Sequence, residues 1–236
     1  DGFSKKLALT LGIKAAQNEC LLFTDADCYV NSNIWIRNMS NSFSSEKSII
    51  LGAGPYHKQK GFLNKLIRYD SLYIAVQYMG MAMAKIPYMG VGRNLAYKKK
   101  IYETLSGFKS HYHIPSGDDD LLVNKGANSQ NTAVVFNKES ITLSEPKSTF
   151  KECITQKSRH HETGKYYLLK HKLILLIYPL SLILFYLSSI IFELKSGYWH
   201  IGIIIILFRI LIQIIIFIRP FKIMGCKDLI IFTPIL

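Results

Sequence analysis

Cysteine is scarce in this 236-residue chain, with only Cys20, Cys28, Cys153 and Cys226. No two of them form a close pair, which excludes both zinc-knuckle spacing and a disulfide framework. Sparse, unpaired cysteine suits a reducing, cytosolic location for the soluble part. Acidic residues are also few, 16 against 29 Lys and Arg, for a formal net charge of +13. Neither finger-type Cys/His spacing nor an RNA-binding sheet signature accompanies that charge, so a nucleic-acid partner is not expected. An initiating Met is lacking too: the chain begins at Asp1 and is expected to start inside a longer protein. The first 172 residues hold neither an internal repeat nor a low-complexity linker.

What is present splits the chain in two. Residues 1–172 have the composition and size of one soluble domain, whereas 173–236 read as membrane. After Lys172 the only charged residues are Glu193, Lys195, Arg209, Arg219, Lys222, Lys227 and Asp228. The soluble part therefore carries 24 basic against 14 acidic residues. Such a balance suits a domain that lies against anionic lipid or handles phosphorylated substrates.

Residues 173–192 are twenty in number and uncharged, which at about 1.5 Å per residue crosses a hydrocarbon core of roughly 30 Å. Pro179 is tolerated in such a helix. A second span, 198–218, contains Arg209 and Gln213, which are expected to face protein or headgroups rather than lipid. A third apolar run starts near 229. Basic residues flank the pair of spans at Lys165, Lys170 and Lys172, and at Arg219, Lys222 and Lys227. The positive-inside rule then puts both flanks, and the soluble domain, in the cytoplasm. A buried core hairpin is the alternative, and twenty uncharged residues weigh against it.

Within the soluble part, 5–16 has helical apolar spacing at Leu7, Leu11 and Ala15. Residues 20–24 form a short apolar run expected as a buried strand, ending at Asp25-Ala26-Asp27. A helix, a strand and then acidic residues at the strand's carboxyl end are the layout of an α/β sheet, where ligands bind at strand ends. Further expectations are a helix at 34–43, a strand at 48–53, and a long helix at 62–84 that serves the membrane surface, the acceptor site or the core. Residues 88–97 read as a turn into a strand. A helix is expected from 118, a strand at 133–136 and a basic helix at 150–167.

Four motifs are candidates to carry chemistry. Asp25 and Asp27, one residue apart at a strand end, can share a hard divalent cation, Mg²⁺ or Mn²⁺. They can equally be solvated loop carboxylates. Asp118, Asp119 and Asp120 cannot all ionise comfortably side by side. One could act as a general base beside an apolar wall, or the three could simply favour a helix N-terminus. In Gly90-Val91-Gly92-Arg93-Asn94-Leu95, the glycines admit close approach of a ligand. Arg93 is a candidate for phosphate and Asn94 for a sugar hydroxyl, with a structural turn as the alternative. In the fourth motif, Gln156 shares a helix face with Arg159 or His160, and either a diphosphate or lipid headgroups would suit Arg159. His57, His111 and His113 match no familiar metal-site spacing.

In this order the four motifs resemble the family 2 inverting glycosyltransferases, the group that includes cellulose, chitin and hyaluronan synthases. The resemblance covers nearly all of residues 1–172. It implies an α/β fold of the GT-A, Rossmann-like kind, whose first βαβ part precedes residue 1, followed by transmembrane helices. It also implies a nucleotide-sugar donor, metal-binding Asp25 and Asp27, and single displacement with inversion. Asp25, Gly92, Arg93, Asn94, Gln156, Arg159 and His160 would then contact substrate. The base falls within Asp118–Asp120. Alignment on the acidic pair after Gly117 makes it Asp119, the preferred register, and alignment on the trailing Asp-Leu makes it Asp118. His160 stands where polymer-making members have Trp, which favours a single transfer over processive synthesis. The expected acceptor is lipid-linked or a surface polysaccharide, with membrane lipid as a further partner. A polyprenyl-phosphate sugar synthase is the rival enzyme, and a non-catalytic membrane scaffold or transporter subunit is the rival from another class.

Overall fold

The computed structural model describes residues 5–235. The chain divides into two compact units, Asp1–Tyr167 and Leu168–Leu236. The first unit begins with α1 (Lys5–Ala15), β1 (Cys20–Phe23) and β2 (Cys28–Val30), followed by α2 (Trp35–Ser40) and β3 (Ile49–Gly52). Next come α3 (Phe62–Met83), β4 (Leu95–Lys98), α4 (Lys99–Thr104), α5 (Asp120–Gly126), β5 (Thr132–Val135), β6 (Thr142–Ser144) and α6 (Phe150–Gly164).

Four strands form one mixed sheet in the order β1-β4-β3-β5, and β2 pairs with β6 in a second, two-stranded sheet. β4 runs antiparallel to both its neighbours, while β3 and β5 are parallel. Ile49, Ile50 and Leu51 of β3 have no exposed surface, as expected of a central strand covered on both faces. Trp35, Met39, Ile50, Ala96 and Val135 form a core cluster on which Leu22, Phe43 and Ala133 pack. Burying each large apolar side chain there contributes about 1.5–3 kcal/mol.

α3 packs one face into the core. Its buried residues (Asn64, Ile67, Arg68, Ser71, Leu72, Ala75, Tyr78 and Met79) recur at three- and four-residue spacing along one stripe. Tyr78 anchors the helix to the sheet by donating its hydroxyl to the Gly52 carbonyl at 2.6 Å.

Several expectations need correction. β1 is not a buried strand: Cys20 is exposed and Leu21 to Phe23 are half-buried, because among the described residues β1 pairs only with β4. The helix expected from 118 starts at Asp120, since Asp119 caps it by accepting from the Asp120 N–H at 2.8 Å. The basic helix ends at Gly164. Its start is fixed by a reciprocal Thr149–Glu152 cap.

The second unit holds α7 (Leu169–Ser196) and α8 (Trp199–Ile223). Both are long and apolar enough to cross a membrane. Their 28 and 25 residues correspond to roughly 42 and 38 Å at 1.5 Å per residue. Large side chains such as Leu173, Ile177, Leu184, Ile204 and Ile215 are exposed along them. Two polar residues of α8 meet protein: Arg209 donates to the Tyr186 hydroxyl at 3.0 Å and Gln213 is buried. The third apolar run lies in a 3₁₀ segment, Lys227–Ile235.

Candidate active site

β1 ends at Phe23, and the chain turns at once. The Cys28 N–H donates to the Asp25 carbonyl at 3.0 Å, closing a tight turn that lifts Asp25 and Asp27 off the sheet. Asp25 is half-buried and Asp27 exposed. Cys28 begins β2 opposite Ser144 of β6, with Sγ 2.9 Å from the Ser144 Oγ. Asp25, Asp27 and Cys28 each offer a ligand atom, all within 4.8 Å of one another. Two carboxylates at that separation fit the oxygen preference of a hard divalent cation. The thiol is a softer third neighbour, and burial raises its pKa above the ordinary value.

The acid cluster is built differently. Asp118 and Asp120 are buried, whereas Asp119 is half-buried. Asp119 Oδ2 accepts the Gly92 N–H at 2.5 Å. A Cβ on Gly92 would come within 3.2 Å of that oxygen, so a glycine here lets the carboxylate reach the turn. Asp120 accepts from the Thr163 and Tyr167 hydroxyls, the latter at 2.9 Å. Burial first, and the Asp119 charge next, push its pKa up to about 7. The same two causes raise Asp118, opposed by Lys5.

Two lysines at the start of α1 organise this cluster. Lys6 is buried and donates to the carbonyls of His111, Ile114 and Ser116 at 2.6, 2.6 and 2.7 Å. Burial lowers its pKa, against the pull of Asp118, Asp120 and Asp119. Lys5 Nζ lies 2.9 Å from both Asp25 Oδ1 and Asp118 Oδ2. Half of its side-chain surface is open, yet its head sits among protein atoms. Burial lowers the Lys5 pKa, but Asp118, Asp119 and Asp25 together outweigh that and raise it.

The Gly92–Asn94 turn is a short 3₁₀ segment leading into β4. The Arg93 guanidinium stacks over Tyr56 at 4.4 Å from the ring centroid, and its buried Nη1 has no hydrogen-bond partner among the described residues. Asn94 does not meet the expectation of a sugar contact. Its side chain is fully buried, donating to the Ala53 and Ser140 carbonyls at 2.8 and 2.7 Å and accepting from Trp35 Nε1 at 3.2 Å. A Cβ on Gly52 would collide with that carboxamide. Asn94 therefore ties the end of β3 to the segment before β6.

α6 brings the fourth motif to the acid cluster. The Ser116 hydroxyl donates to the Arg159 carbonyl at 3.2 Å, Thr163 reaches Asp120, and Lys157 pairs with Asp70 of α3. Gln156 is half-buried, and Arg159 and His160 are exposed by surface area. The His160 ring is nevertheless crowded: desolvation, then the charges of Arg159, Arg93, Lys157 and Lys5, push its pKa down to about 4. Contacts thus link the four motifs: Lys5 joins Asp25 to Asp118, Gly92 meets Asp119, and Ser116 meets Arg159.

Lys5, Lys6, Ser116, Thr163 and Tyr167 were not foreseen as site residues. A lysine pair at a helix start, or a hydroxyl on a helix, carries no local pattern. Their partners lie far along the chain, 105 residues for the Lys6–His111 bond.

The first unit is an α/β unit with acidic residues at the ends of its elements, the place where open α/β sheets bind ligands. Residues 2–106 match the family described as Glycosyl transferase family 2, and the first unit has the expected α/β fold. No curated protein matches the chain. Among solved structures it is similar to "Mannosyltransferase PcManGT from Pyrobaculum calidifontis in complex with GDP-Man and Mn2+". That likeness has 17% identity and a TM-score of 0.44, over 65% of this chain and 40% of that one. The chain thus spans 40% of the length of that mannosyltransferase.

Proposed function

We propose that the protein is an inverting glycosyltransferase. It moves a sugar from a nucleotide-sugar donor to a lipid-linked or surface-polysaccharide acceptor. Residues 1–172 form its cytoplasmic catalytic domain. Residues 173–236 anchor it as a multi-pass protein of the inner or plasma membrane, with spans at about 173–192 and 198–218 and a third starting near 229. The observation that carries this reading is Asp119, the one half-buried carboxylate of its cluster, held by Gly92 at 2.5 Å. Through the shared Lys5, the same cluster faces Asp25.

Asp119 takes the proton of the acceptor hydroxyl as that oxygen bonds to the anomeric carbon, and the bond from carbon to diphosphate oxygen breaks. Asp118 is buried against Lys5 and Asp120 against Thr163 and Tyr167, which leaves Asp119 the accessible base. Arg93 offers a buried Nη1 with no partner among the described residues, and Arg159 an exposed guanidinium, to the diphosphate as it departs. Gln156 and His160 line the same helix for donor or acceptor. Asn94 acts by holding the turn from within. Asp25 and Asp27 would hold Mg²⁺ or Mn²⁺, which neutralises charge on the leaving diphosphate.

The test is transfer from radiolabelled nucleotide sugars by the full-length protein in detergent, with and without divalent metal. Asp25→Ala and Asp119→Asn are expected to abolish it. Full activity in both variants would refute the reading.

A further inference from the structure

The site just described already contains a cation of its own. Lys5 Nζ stands 2.9 Å from Asp25 Oδ1 and 2.9 Å from Asp118 Oδ2. Asp119 borders the same point, since a Cβ on Gly92 would lie 3.2 Å from Asp119 Oδ2 and 3.5 Å from Lys5 Nζ. Three carboxylates, one from the β1–β2 turn and two from the loop before α5, therefore crowd one ammonium. A divalent ion drawn to Asp25 and Asp27 would meet this like charge at close range, where repulsion is strong.

The two ion pairs are unequal. Asp118 has 8% of its side-chain surface exposed and Asp25 31%, so water competes less for Lys5 at Asp118. Lys5 is itself half-open, on a flexible four-carbon stem. Its ammonium can leave Asp25 without disturbing α1, whose position is held by the buried Lys6.

We propose that Lys5 is the resident counter-cation of the metal-free site: a divalent ion arriving at Asp25 and Asp27 displaces its ammonium from Asp25, and Lys5 then rests on Asp118 beside the acid cluster. This rests on the metal role given to Asp25 and Asp27 above. Lys5 quiets the repulsion among the carboxylates while no metal is present, at the expense of metal affinity. It is a positioning residue, and its effect is read in metal binding without donor or turnover.

The experiment titrates the full-length protein in detergent with Mn²⁺ and follows free Mn²⁺ by electron paramagnetic resonance. Lys5→Met should bind Mn²⁺ roughly three- to fivefold more tightly than wild type, the scale of losing one partly exposed ion-pair competitor. Lys5→Arg, which keeps the charge, should stay within about twofold of wild type on the same scale. If Lys5→Met does not fold, Lys5→Gln serves for the same reading. Unchanged or weaker Mn²⁺ binding on removal of the charge overturns the proposal, because Lys5 would then be a structural tie. The metal reading is judged separately: wild-type Mn²⁺ binding that is absent, or indifferent to Asp25→Asn, overturns that reading itself.

Discussion

Asp25 and Asp27 stand on a turn, half-buried and exposed, with Lys5 as the ion-pair partner of Asp25. Asp118 and Asp120 lie buried, surrounded by groups the chain supplies: Lys5 for one, Thr163 and Tyr167 for the other. Both regions are clusters of like charge, yet the protein neutralises them differently. The turn leaves its oxygens open to a ligand from outside. The buried cluster meets most of its needs internally and leaves one carboxylate, Asp119, accessible. Similar acidic strings in sequence therefore meet different surroundings, because burial distributes their partners.

The largest expected effect separates the members of the buried cluster. Asp119→Asn should lower transfer by about 10²–10⁴-fold, the usual contribution of a general base. If Asp119→Asn were silent and Asp118→Asn inactive, the accessible carboxylate would not be the base and the comparison would break.

Lys6→Met comes next. It strips the donor from three carbonyls that hold the loop before the cluster. Unsatisfied buried acceptors of this kind should destabilise the first unit by about 3 kcal/mol, measured as an earlier thermal unfolding transition in detergent. No loss would mean that the cluster does not depend on its internal donors.

Acid–base linkage gives a third, smaller effect. The Asp120 pKa is raised to about 7 in the fold by burial and by Asp119, against about 3.9 in an unfolded chain. Between those values the folded protein keeps a proton that the unfolded chain has lost. Stability should therefore fall as pH rises from about 4 to about 7, by up to about 1.4 kcal/mol per unit. The raised Asp118 adds in the same direction. Asp120→Asn should flatten the slope, and an unchanged slope would place the linkage elsewhere.

Cys28→Ser should change least. Serine keeps a partner for Ser144, so the cost should stay under about 1 kcal/mol, and transfer should persist. A large loss of activity would make the thiol a working member of the turn rather than its neighbour.

The sheet was legible where apolar residues run together. CLLF, IILG and TAVV each announce a strand and became β1, β3 and β5. β2 and β6 were not foreseen, because CYV and TLS are three residues long and gain their stability from pairing with each other. α4, KKIYET, is polar and short, with no apolar face long enough to read. The order of the four motifs was legible because residue types mark them. What each residue does depended on burial. Asn94 and Arg93 are neighbours in one turn, yet the first is fully used inside the protein and the second has a nitrogen with no partner among the described residues.

Asp120 also bears on the timing of synthesis. Its two hydroxyl partners, Thr163 and Tyr167, are translated 43 and 47 residues after it. Tyr167 is the last residue of the first unit, directly ahead of the first long apolar helix. On the ribosome, at about 5–20 residues per second, this acid waits a few seconds for its partners. The acid cluster is completed only as synthesis reaches the first long apolar helix, and a product that stops short of Thr163 carries the acids without the hydroxyls that hold Asp120.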